Sequence, residues 1–62
     1  MVIEYEGYTG EWSYSSEHAC YYGKIIDHTY QVFRGNSIEE MIEDFHYQVN
    51  KLIKRKIKYN IS

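Results

Sequence analysis

The strongest constraint on this chain is a helix written into residues 38–54. Ser37 followed three residues later by Glu40 has the spacing of a capping box, in which hydroxyl and carboxylate satisfy backbone donors left open at a helix start. Ile38, Met41, Ile42, Phe45, Val49, Leu52 and Ile53 then recur on a period of 3.6 as one apolar stripe. Glu39, Glu40, Glu43 and Asp44 sit near the positive end of the helix dipole, and lysines near its negative end. About 17 residues at ~1.5 Å rise give a helix of ~25 Å. Its stripe needs a surface to lie on, and 62 residues leave room for one small domain, spanning 1–62.

The preceding residues supply that surface as strands. Residues 8–14 alternate aromatic or small with polar, the period of a half-buried strand. Ser15, Ser16, Glu17 and His18 break the pattern as a hairpin turn, and residues 20–26 resume it. There Tyr21, Gly23 and Ile25 share one face, and Tyr22, Lys24 and Ile26 the other. Asp27, His28 and Thr29 form a short turn before a third strand over 30–34, closed by Gly35 and Asn36. Strands of about seven residues reach ~23 Å, so one helix covers one face. The fold class is therefore α+β: a three-stranded antiparallel meander covered by one helix, β-β-β-α. Residues 57–61 alternate again and admit two readings, a short fourth strand, which is favoured, or a fraying tail. The stripe is expected on a face bearing Trp12, Tyr14, Tyr21, Ile25 and Phe33, with Phe45 at its centre. The opposite face, with Tyr22, Lys24 and Ile26, is too apolar for open solvent and is the expected site of partner binding or self-association.

Composition narrows the function. One cysteine, Cys20, allows no internal disulfide and points to a reducing, cytoplasmic setting. No apolar run of about 18 residues spans a membrane, and the opening residues are no signal peptide. A chain this small with neither disulfide nor metal is marginal alone, so a homo-oligomer, a dimer above all, is expected. Residues 1–50 hold all nine acidic groups against Lys24 and Arg34, a net of −7, while Lys51, Lys54, Arg55, Lys56 and Lys58 give the rest +5. An acidic body repels nucleic acid and suits a basic partner.

Catalytic constellations are missing from the sequence. Cys20, in a strand beside Tyr21 and Tyr22, reads as a small apolar residue and not a nucleophile. His18, Cys20, His28 and His46 match no zinc-ligand spacing. The acids on the first helix turns are explained by the dipole, and Gly7, Gly10, Gly23 and Gly35 form no phosphate loop. No enzyme activity, cofactor or metal is expected. Two alternatives stand beside protein binding: an orphan, self-associating small domain, or an RNA-binding module stacking bases on Trp12, Tyr14 and Tyr22, with only Lys24 and Arg34 to accompany the rings on the strands.

Several segments in order carry a family likeness. Glu4-Tyr5-Glu6-Gly7-Tyr8-Thr9-Gly10 opens the chain, and Tyr14 and Glu17 precede Tyr21-Tyr22-Gly23-Lys24-Ile25. Phe33-Arg34-Gly35-Asn36-Ser37-Ile38-Glu39-Glu40 enters the helix, which continues through Phe45 and Val49-Asn50. Over residues 4–53 the chain resembles the HicB family of toxin–antitoxin antitoxins. The resemblance implies a degraded ribonuclease-H-like fold without catalytic acids, which binds and blocks a HicA-type mRNA-cleaving toxin and self-associates. Many members carry an additional DNA-binding domain; this chain ends near the strand that would begin one, so no DNA-binding domain is expected on it. Two glycines fit the likeness structurally. Gly23 would let the helix approach the sheet, and Gly35 would open the turn before Ser37.

Overall fold

The computed structural model describes residues 1–61, and the side chains of all of these except 29, 30 and 56–61. Four strands, β1 (Val2–Tyr5), β2 (Tyr8–Ser15), β3 (Cys20–Ile25) and β4 (His28–Gly35), precede one helix, α1 (Ile38–Ile61). Neighbouring strands pair antiparallel in chain order, giving an open α+β sheet with β1 and β4 at its edges. The three strands expected from alternation are β2, β3 and β4, each placed within two residues.

Three local differences have physical causes. The first is β1, which sequence reading passed over. Glu6 and Gly7 are both left-handed, at φ 52° and 83°, and two such residues make the tight hairpin whose twist matches the flanking strands. The second is the β3–β4 connection, which uses residues 26–27 and not 27–29, so Ile26 leaves the strand for the turn. Asp27 takes φ 70° there, a conformation its short polar side chain tolerates. The third concerns residues 57–61: no closing strand forms, and α1 continues to Ile61. No proline or glycine follows Gly35 to stop the helix, and Ile53, Ile57 and Ile61 are spaced by four, which suits a helix as well as alternation suits a strand. At 24 residues, α1 is ~36 Å long instead of ~25 Å.

The capping box forms, with one change of partner. The Glu40 amide donates to Ser37 Oγ at 3.2 Å, and the Glu40 carboxylate accepts from the Asn36 amide at 3.0 Å, one residue before the expected donor. Of the stripe, Met41, Phe45, Val49 and Leu52 are buried with Ile25 and Phe33, while Ile42 and Ile53 pack at the margin. Ile38 is exposed, so the buried stripe starts one turn later than expected.

Register explains how the core closes. Gly10 lies opposite Ile25, and Gly23 opposite Trp12 on one side and Phe33 on the other. A side chain on Gly23 would collide with the Glu11 carbonyl and stand 2.5 Å from the Phe33 ring. One on Gly10 would meet the Phe45 ring at 2.8 Å. The two glycines thus form a bed for Phe33 and Phe45, whose ring centroids lie 4.9 Å apart. Gly23 makes room for a phenyl ring, not for helix backbone as expected. Gly35 is where the helix comes closest, because a Cβ there would strike the Met41 amide; close approach, not a left-handed turn, selects it.

Two polar links fasten α1 to the sheet edges. Toward β1, Tyr5 stacks on His46 with centroids 3.9 Å apart and donates its hydroxyl to Asn50 Oδ1 at 3.3 Å. Toward β4, Asp44 accepts the Arg34 amide at 2.9 Å and the Gln48 side-chain amide at 3.4 Å. Gln31, buried at the same edge, donates to Gln48 Oε1 at 2.6 Å. Among the described residues no helix is long and apolar enough to cross a membrane.

Candidate functional site

Alternation sends every second residue of each strand away from α1, and the register gathers these into rows across the open face. Val2, Glu11, Lys24 and Val32 form one row, one residue from each strand. Ser13, Tyr22 and Arg34 form the next, followed by Ser15 and Cys20. The result is a mixed surface, with Val2, Val32, Tyr22 and Cys20 set among Glu11, Lys24, Arg34 and two serines. Val2 is 64% exposed, Val32 61% and Tyr22 49%. These exposed β-branched and aromatic side chains make this face the candidate interaction surface.

Tyr22 is the centre of this surface. It lines a depression of about 880 Å³ between the β2–β3 turn and the helix start, together with His18, Cys20, Arg34 and Glu40. It also lines a smaller one of about 380 Å³, with Glu11, Ser13, Lys24 and Val32. A tyrosine standing between two hollows offers a large rigid ring and a hydroxyl at low entropic cost, the properties of an interface anchor. The β2–β3 turn beside it is stiffened by Ser15, whose Oγ accepts the His18 amide at 3.3 Å and lies 3.2 Å from His18 Nδ1.

Of the residues singled out from sequence, Tyr22 and Lys24 share this face, and Ile26 lies at its margin in the β3–β4 turn, 38% exposed. Sequence reading missed Val2, Glu11, Val32 and Arg34 as members. The signals were present: once Phe33 points to the core, Val32 and Arg34 must point away, and the Glu6-Gly7 turn brings in Val2. Trp12 and Tyr14, expected to stack bases beside Tyr22, lie on the helix side of the sheet. There they adjoin Tyr21, with ring centroids 5.8 Å and 4.9 Å from it. Tyr14, expected beneath the helix, remains 52% exposed at the end of that face.

The charge division is also spatial. Every acidic side chain but the half-buried Asp44 is exposed, and Lys51, Lys54 and Arg55 are exposed on the second half of α1. Among the described residues no group of three or more His, Cys, Asp or Glu side chains is arranged to hold a metal ion. Cys20 is a free, half-buried thiol. No protein-family model, curated protein or solved structure matches the chain significantly, so its own residues and surfaces carry the functional argument.

Proposed function

We propose that this protein is a non-catalytic, HicB-like antitoxin that binds and blocks a HicA-type mRNA-cleaving toxin with the open face of its sheet. The observation that carries the reading is the grouping of Tyr22, Val32 and Val2 with Glu11, Lys24 and Arg34 on a face that the helix leaves bare. Apolar anchors ringed by charge suit a protein partner. The net −7 of residues 1–50 suits a basic one, since complementary charge speeds encounter and rejects wrong partners. The single thiol fits a cytoplasmic setting, and the small core fits a homodimer.

The RNA-binding alternative is weaker because its three aromatic rings occupy opposite faces and share no stacking platform. Co-expression with the product of the adjacent reading frame tests the proposal. The expected result is growth arrest by that product alone, rescue by this chain, and loss of rescue with Tyr22→Ala at an unchanged melting temperature. A neighbour that is harmless alone, or binding of single-stranded RNA that Tyr22→Ala abolishes, would overturn it.

A further inference from the structure

The two edges of the sheet are not equivalent. At β4 the helix reaches round the edge, and Asp44 takes the outward amide of Arg34. At β1, among the described residues, no hydrogen bond covers the edge. Met1 and Trp12 exchange both backbone bonds, Trp12 N to Met1 O at 2.9 Å and Met1 N to Trp12 O at 3.2 Å. Antiparallel ladders alternate bonded and non-bonded pairs, so Val2 opposite Glu11 and Glu4 opposite Thr9 are non-bonded toward β2. Their N–H and C=O groups therefore point off the sheet.

We infer that β1 pairs with β1 of a second copy, antiparallel about a two-fold axis through Ile3. This deepens, and rests on, the self-association reading; it is independent of which toxin the open face takes. The register follows from the outward groups alone. Only Val2 and Glu4 can bond outward, and pairing Val2 of one copy with Glu4 of the other satisfies all four groups on each chain. That register sets Ile3 against Ile3 on the helix side, where each is already half-buried beside its own core. On the open side it sets Val2 beside Glu4, so the two Glu4 carboxylates do not face one another. A one-residue slip would oppose outward-bonding residues to inward-bonding ones and lose the ladder. The two four-stranded sheets then join as one eight-stranded sheet with both helices on the same side, an isologous contact of the kind that closes a dimer.

Amide exchange with the unmodified protein tests this directly. The Val2 and Glu4 amides should exchange slowly at high concentration and lose protection on dilution. Independently, Ile3→Cys in a Cys20→Ser background should oxidise to a disulfide-linked dimer, because non-bonded antiparallel pairs bring Cα atoms to about 4.5 Å, within disulfide range. Val2→Cys alone should not cross-link to itself, whereas Val2→Cys mixed with Glu4→Cys should. A dimer by sedimentation whose Val2 and Glu4 amides exchange freely would overturn the β1 contact while leaving self-association standing. A monomer at high micromolar concentration would overturn both.

Discussion

The two faces of the sheet come from the same strands, one residue apart, yet they are built on opposite rules. The helix side places glycine where bulk must enter: Gly10 and Gly23 lie beneath Phe33 and Phe45, and every large ring there has a neighbour. The open side places Val2, Val32 and Tyr22 largely in solvent, among threonine, serine and charged residues. Folding alone explains the first arrangement, since the helix must bury its stripe. It does not explain Val2, Tyr22 and Val32, which no helix stripe requires. Val2, Tyr22 and Val32 are therefore the positions at which a role beyond folding can be tested.

Substitutions on either side can break this contrast. Phe45→Ala should be the most damaging, at about 3–5 kcal/mol, because it removes a fully buried ring from the centre of the core. A loss under about 1 kcal/mol in a denaturant melt would show that the helix side is not packed as described. Gly23→Ala should cost about 1–3 kcal/mol by overpacking, since the added methyl meets backbone and Phe33 together. Ser37→Ala should cost about 1 kcal/mol through the lost cap. Val32→Thr, on the open side, should shift stability by no more than about 0.5 kcal/mol while weakening partner binding. A larger loss of stability would mean that Val32 belongs to the fold and not to an interface.

The same contrast decides what was legible in the sequence. The helix start, its stripe and the meander were readable because each is a local pattern with a local cause. Ser37 and Glu40 are three residues apart, and Met41, Phe45, Val49 and Leu52 recur at intervals of four, four and three, a spacing that only a helix brings onto one face. The missed elements depend on single residues whose backbone is unusual. Gly7 and Asp27 turn the chain in two residues, and neither position announces a left-handed φ by periodicity. The end of α1 was ambiguous for a different reason: Lys56-Ile57-Lys58-Tyr59-Asn60-Ile61 satisfies both periods, and propagation from an existing helix decides between them. The candidate face was legible only in its middle strand, since Val2 and Val32 join Tyr22 through register, which no single segment contains.

Asp44 has a consequence beyond fastening the helix. A sheet with two receptive edges can add copies at both, and head-to-tail addition that does not close gives fibres. Here the Arg34 amide is already bound by a side chain of the same molecule, whose carboxylate also accepts from Gln48, itself held by Gln31. Strand addition at β4 would first have to displace it. That bond obstructs strand addition at the Arg34 end of β4, and β1 has no counterpart to it among the described residues. Asp44→Ala would remove that obstruction and free the Arg34 amide, with slow formation of cross-β aggregates as its visible mark.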